Sequence, residues 1–450
     1  KLWDPYAELA RRHAGEHAAL FGRARVRLKG PKACNAWYPT DERVRRYGQQ
    51  CQWPEDPDSN GGGLLGRLLG RHQAAAAAEA VADPGLAALA HAFGRYLLLG
   101  ASRAPGRWPA NLQGVWANSV DSPWGADYHL NVNLQMAYWG AARAALSPEA
   151  LGPYANFMAA LAGPGGRRTA HRYYRCPGWV AHGFTDLWAE GGLHSNIEWS
   201  LCPTCGAWAA LALWEAYTHR LVDDEEFAGA GSKPETGTVF GTNWLRDEAM
   251  PILEGAVSFF LCYLTEAPAG HPAGVGALLT GPSTSPENSF AVPPSAGDLR
   301  AYEEEKRERE ERLRRWEAEQ EERKKAGAGG AQGKKAARRP PRAPKPPVPK
   351  YFSLTMAPAI DNSILHDLFT VYLKACKVLG GSCDLVQQVQ KARDRLPNKG
   401  VPFIGKDGML QEYLGVPTSD LPDPGHRHLS GLYALYPGGQ LCPPPAAAAA

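Results

Sequence analysis

Two neighbouring stretches decide the reading of this chain: Pro109-Ala-Asn-Leu-Gln-Gly-Val-Trp116 and Pro123-Trp-Gly-Ala-Asp-Tyr-His-Leu-Asn-Val-Asn-Leu-Gln-Met-Ala-Tyr-Trp139. Together they gather Asn111, Gln113, Asp127, His129, Asn131, Asn133 and Gln135 among aromatic and apolar neighbours. An amide buried without a partner costs about 1–3 kcal/mol, so this many polar groups need a matching set of donors and acceptors. A polar network holding a turn would supply one. A wet pocket for a polyhydroxylated ligand supplies another and explains the aromatics as well. Read as an extended segment, the i, i+2 spacing of Asn131 and Asn133 puts both amides on one side.

Outward from this run the pattern is helical. Asp4 to Phe21 reads as a helix, followed by a strand-like run from Ala24 to Leu28. Pro39-Thr-Asp-Glu-Arg43 follows, and residues 61–82 are Gly/Ala-rich and read as a loop. From Asp83 the signal strengthens: Asp83 can cap, Pro84 suits a first turn, and Leu86, Leu89, Ala90, Phe93 and Leu97 recur at helical spacing. Further helices are predicted over Leu134–Ala145, Gly206–Arg220, Asp247–Leu264 and Asn362–Leu379. The loops between them are long and rich in Gly, Pro, Trp and Asn, and strand signals are sparse. This suggests helical hairpins with a site built from loops at one end.

One segment stands apart. Glu303 to Lys325 has 19 charged residues in 23, with Glu and Arg or Lys often four apart, which supports a solvated helix. Gly327 to Lys350 turns basic and Pro-rich, so it forms no core of its own. The pair reads as a surface insertion. It could also dock an acidic partner or a proline-reading module. The expected division is 1–82 leading in, 83–302 and 351–438 as the two parts of one helical domain, 303–350 as the insertion, and 439–450 as a low-complexity tail.

The net charge of +3 misleads, because residues 303–350 carry 16 Lys/Arg against 10 Glu and leave the rest at about −3. The globular part therefore has no electrostatic footprint for nucleic acid. No apolar run reaches 18 residues, so no membrane span is expected. Nine cysteines are scattered through the chain. Cys202-Pro-Thr-Cys205 is a lone CxxC, weak as a zinc signal, and is read as two buried or partly buried thiols.

The sequence resembles the catalytic barrel of glycoside hydrolase family 95, the α-L-fucosidases. The two stretches quoted first are similar to the family's signature. Further blocks follow in the family's order: Gly178-Trp-Val-Ala-His-Gly-Phe-Thr-Asp-Leu-Trp188, Gly206-Ala-Trp208 with Leu213-Trp214 and Tyr217, and Pro282-Ser-Thr-Ser-Pro-Glu-Asn288. Leu410-Gln-Glu-Tyr413, His426-Arg-His-Leu-Ser430 and Leu435-Tyr-Pro-Gly438 complete the set. The resemblance implies an all-α-dominated (α/α)6 barrel and inverting hydrolysis of α-L-fucosides, typically 1,2-linked, in a fucosylated oligosaccharide or glycan. It implies no metal and no cofactor, and it is compatible with a secreted, endomembrane or lysosome-like location.

By matching position, Glu287 takes the place of the general acid. Ser283, Thr284, Ser285 and Asn288 can orient it, and Pro286 and Phe290 can desolvate it, which keeps a carboxyl protonated near neutral pH. Asn131 and Asn133 match the paired asparagines that hold the attacking water. An amide is too weak a base alone and must be polarised by a carboxylate. His129, Trp208, Arg427 and His428 match pocket positions, and Asp186 and Glu412 lie in matching loops. The family's Ile-Asp-Gly-Asn-Phe-Gly block, which carries the polarising Asp, has no counterpart after Gly438, so the barrel is expected to be incomplete at its C-terminal end. Gly431 stands where the family pattern has a histidine. Two alternatives stay open: a truncated or inactive family member, and an α-L-galactosidase.

Overall fold

The computed structural model describes residues 4–28, 38–50, 83–219, 240–325, 339–381, 383–423 and 425–442. The Gly/Ala-rich stretch 61–82, residues 326–338 of the insertion and 443–450 of the tail lie outside them. The helices are α1 Pro5–Phe21, α2 Thr40–Gln50, α3 Pro84–Ala101, α4 Asn133–Tyr138 and α5 Ser147–Ala160. They continue with α6 Thr204–Thr218, α7 Met250–Tyr263, α8 Ala296–Lys325, α9 Ala359–Val378 and α10 Val386–Asp394. Among the described residues every sheet is a two-stranded antiparallel ladder. The fold is dominated by helices, as expected.

Local chemistry accounts for the helix starts. The Asp4 carboxylate accepts from the backbone N–H groups of Tyr6 and Ala7, capping α1. Asp83 accepts from Leu86 N–H and pairs with Arg43 at 2.8 Å, and Pro84 follows it. The α3 helix forms where its signals put it, but the buried face differs from the one its spacing suggested. Leu89 and Phe93 are exposed, and burial falls on Arg95, Leu98 and Leu99. The Arg95 guanidinium donates to the carbonyls of Phe21 and Ala24, satisfying orphan acceptors at the end of α1. Among the described residues, 24–28 pair with no strand, so the strand-like run is a connector there.

The chain folds into two compact units. The first comprises Lys1–His194, Pro203–Tyr263 and Asp367–Arg393. Its core is built on α5, α6 and α7. Trp179 lies at its centre, 2 % exposed, with its indole N–H donating to the Ile252 carbonyl at 2.8 Å. Three glycines make the slot. A Cβ at Gly166, Gly206 or Gly255 would come within 3.2, 3.0 or 2.7 Å of the Trp179 ring or its Cβ. Gly178 has φ +73°, and a Cβ there would meet the Gly255 carbonyl oxygen at 1.9 Å. A disulfide joins Cys176 to Cys262 at the end of α7, and a second joins Cys376 to Cys383. Cys202 and Cys205 are also disulfide-bonded, which corrects the reading of two thiols. Both are fully buried, and cross-linking in that setting leaves neither sulfur to ligate a metal.

The second unit comprises Ser195–Cys202, Leu264–His366 and Asp394–Ala450. Ladders β3 Thr265–Glu266 with β4 Leu278–Leu279, and β5 Ser283–Thr284 with β8 Leu354–Thr355, flank its loops. In a further ladder, β6 Phe290–Val292 pairs with β7 Lys350–Phe352, Val292 lying opposite Lys350. The charged insertion therefore leaves and re-enters the unit side by side. Its helix α8 is almost wholly exposed, and Arg309 donates to the Pro341 carbonyl, tying the Pro-rich run back to it.

Candidate active site

The first unit holds one group of predicted residues. Strand β1, Tyr128–His129, pairs with β2, Phe184–Thr185, His129 opposite Phe184. The two rings lie 4.4 Å apart, tilted by 50°, and His129 Nε2 lies 3.0 Å from Asp127 Oδ1. Asp127 immediately precedes β1, and that position brings its carboxylate beside His129.

The signature stretch is sewn to itself. Tyr128 Oη donates to the Pro109 carbonyl, Ala110 N–H donates to Tyr138 Oη, and Leu112 N–H donates to the Asp127 carbonyl. Gln135 donates to the Leu130 carbonyl at 2.6 Å. Burial pushes the Tyr128 phenol up to about 12, so it stays a neutral donor. Much of the amide content thus serves the turn. A cavity of about 270 Å³ remains, lined by Asn111, His129 and Asn133 with Leu112, Leu134, Met136 and Ala137 among others. That is close to the lower end of the ~300–1,000 Å³ range of small-ligand sites, and suits one sugar ring.

Two expectations are corrected here. Residues 130–132 form a turn after β1, and Asn133 opens α4, so Asn131 and Asn133 are not i, i+2 neighbours of an extended segment. The backbone turns at Val132, with φ −175° and ψ −32°. Asn131 is 1 % exposed, whereas Asn133 is half-buried and lines the cavity. The predicted helix 134–145 ends at Tyr138, where Trp139 and Gly140 break into turns.

Trp208 is 5 % exposed on α6, in the core of the unit. Asp186 accepts from Trp188 and Glu190 N–H groups, closing its own loop. His182, fully buried, shares a hydrogen bond with Tyr174 Oη at 3.0 Å. Burial pushes its imidazole down to about 3, which keeps it neutral.

The second unit holds the other group. The Glu287 carboxylate accepts from Arg427 at 2.9 Å and lies 3.5 Å from His428 Nε2. Its side chain is 19 % exposed, against 72 % for Arg427. Burial draws the His428 imidazole below its ordinary value, Glu287 opposes this, and Arg427 and His426 add to it. The neighbours expected to orient Glu287 act on the turn that carries it. Ser285 Oγ donates to Glu412, and Asn288 Nδ2 donates to the His428 carbonyl at 3.2 Å. Ser430 Oγ donates to the Pro286 carbonyl. Ser283 and Thr284 lie buried in β5, and Phe290 packs on Tyr413 at 4.8 Å. The Glu412 carboxyl is enclosed. Burial pushes it up to about 7, against the Ser285 hydroxyl and the Gly431 N–H, which favour its charged form.

Residues 68–230, 240–309 and 341–450 match the family described as "Glycosyl hydrolase family 95 catalytic domain". The chain belongs to glycoside hydrolase family 95. The matched segments of the family 95 domain break within the charged insertion, and the helix-dominated build agrees with the helical domain which the sequence resemblance implied. Over 440 residues it is 29% identical to a protein named alpha-L-fucosidase 2 from Arabidopsis thaliana, covering 96% of this chain and 38% of that relative. A protein named probable alpha-fucosidase A from Aspergillus niger is 29% identical over 223 residues, 49% of this chain and 25% of its own length. Its namesake from Aspergillus oryzae is 38% identical over 110 residues, 24% of this chain and 15% of its own. The chain thus spans well under half the length of these relatives.

Proposed function

We propose that this family 95 domain catalyses inverting hydrolysis of α-L-fucosides, with α-1,2-linked L-fucose on an oligosaccharide as its substrate. The observation that carries the reading is Glu287: a part-buried carboxyl on a pinned turn, beside Arg427 and His428. Inversion requires an acid on the leaving-group side and a water on the opposite face of the ring. Glu287 is the acid, protonating the glycosidic oxygen as the bond to the anomeric carbon breaks. Asn133 and Asn131 hold the water; as its oxygen bonds to the anomeric carbon, its proton passes to an amide oxygen, which needs a polarising carboxylate that the blocks quoted above do not supply. The names of the relatives, both fucosidases, support the choice of sugar.

Arg427 pairs with Glu287 at 2.9 Å across the mouth of this turn. Arg427 is largely solvated, and exposed pairs of this kind are worth about 0–1 kcal/mol. A substrate hydroxyl can take over the guanidinium and leave the carboxyl free to face the glycosidic oxygen. His129, held by Asp127 and Phe184 at the cavity wall, is the donor to a sugar hydroxyl in the first unit.

The test is Glu287→Gln. Turnover of a 2′-fucosyl oligosaccharide is expected to fall ~10²–10⁴-fold, the contribution of a well-placed acid. Undiminished release of fucose would remove Glu287 from the mechanism. Side-by-side rates on nitrophenyl α-L-fucoside and α-L-galactoside check the sugar, and a preference for the galactoside would replace fucose with galactose in this reading.

A further inference from the structure

Glu412 lies where three loops of the second unit meet. Its carboxyl accepts from Ser285 Oγ, two residues before Glu287 in the acid-bearing turn. The same carboxyl accepts from the Gly431 backbone N–H in the loop that supplies Arg427 and His428. Its own carbonyl accepts from Ala359 N–H at 3.0 Å, which anchors it to the start of α9. Asn288, on the far side of Glu287, reaches the His428 carbonyl and Ser430 Oγ, and approaches Glu412 Oε1 at 3.5 Å. The turn bearing Glu287 is therefore held at both ends.

Gly431 makes this seat possible. A Cβ at that position would come within 2.8 Å of Glu412 Oε2. Any side chain there would press the carboxyl off the backbone N–H. The glycine that stands where the family resemblance calls for histidine is thus coupled to where Glu412 sits.

We propose that Glu412 is the positioning residue for the acid: it fixes the turn that presents Glu287 and does not itself touch the sugar. The proposal rests on the reading of Glu287 as general acid. Either protonation state leaves Glu412 an acceptor oxygen for Ser285, so the clamp does not depend on its charge.

A misplaced acid matters most where the leaving group needs a proton. The experiment compares 2′-fucosyllactose, a poor leaving group, with 2-chloro-4-nitrophenyl α-L-fucoside, a good one. Wild type, Glu412→Ala, Ser285→Ala, Gly431→Ala and Glu287→Gln are measured on both. For Glu412→Ala, kcat is expected to fall ~10²-fold on the oligosaccharide and under about 3-fold on the aryl fucoside, the effect of displacing an acid by about 1 Å. Ser285→Ala and Gly431→Ala, milder changes, should show the same split at smaller size. Hydrogen exchange supplies a readout independent of turnover: amides of 283–288 should exchange faster in Glu412→Ala, and those of α7 should not. Equal losses on both substrates, or unchanged exchange at 283–288, would overturn the proposal. If Glu287→Gln shows no split, the assignment of the acid fails instead, and exchange at 283–288 still decides whether Glu412 holds the turn.

Discussion

Glu412→Gln isolates one buried carboxyl and predicts a pH-dependent change in stability. Burial is the leading cause of its raised pKa, and the hydrogen bonds from Ser285 and Gly431 offset part of that effect. The move from 4.5 to about 7 corresponds to about 3 kcal/mol, at ~1.36 kcal/mol per pH unit. The sign follows from which state holds the proton more tightly. Here it is the folded state, so the neutral carboxyl's contribution is complete below about pH 4.5. It is lost as pH rises towards 7 and is level above that. Glutamine cannot ionise and avoids the loss. Urea unfolding of wild type and Glu412→Gln, followed by tryptophan fluorescence from pH 4 to 8, gives the difference directly. Other titrating groups are common to both proteins and cancel. The variant should gain about 3 kcal/mol on wild type between pH 4 and 8. A difference that stays constant with pH would refute the reasoning. So would a gain that appears on acidification. In Ser285→Ala the inflection should move to higher pH, because that hydrogen bond favours the charged form.

Three further predictions concern the first unit. Gly255→Ala puts a methyl 2.7 Å from Trp179 Cδ1 in a closed slot and should cost about 1–3 kcal/mol in chemical denaturation, as overpacking does. Gly178→Ala combines positive φ with a 1.9 Å approach to a backbone oxygen and should cost more than Gly255→Ala, read as a lower yield of folded protein. Replacing Cys176 and Cys262 by serine opens a link spanning 86 residues and should cost about 4.6 kcal/mol by the loop-closure estimate. Thermal melts with and without reductant check this, and an identical melt would remove the cross-link from the stability argument.

Local structure was legible wherever it depended on neighbours in sequence. Asp4 and Asp83 cap the helices they precede, and Pro84 stands in a first turn, because capping is settled within three or four residues. The charged helix formed for the same reason, with its support at i, i+4. The strand-like run 24–28 failed because a strand needs a partner, and the carbonyls at the end of α1 found Arg95 instead. Asn131 and Asn133 were misjudged because alternation holds only in extended chain, and the chain turns at Val132.

The sequence by itself determined the lineage, through blocks whose order and composition need no coordinates: the signature stretch Pro109–Trp139, the Glu287 loop and the Arg427-His428 pair. It also determined the helix-rich class, because helical periodicity is local. Only the tertiary structure decided what each polar group does. It put Ser285 on Glu412 rather than leaving it a general neighbour of Glu287, and seated Glu412 on the backbone at Gly431. It joined Asp127 to His129, and turned expected thiols into disulfides. The physical reason is separation along the chain. Ser285 and Glu412 lie 127 residues apart, and their hydrogen bond exists only once folding has brought the loops together. Burial of the Glu412 carboxyl, and with it the raised pKa, is likewise a property of the packed protein.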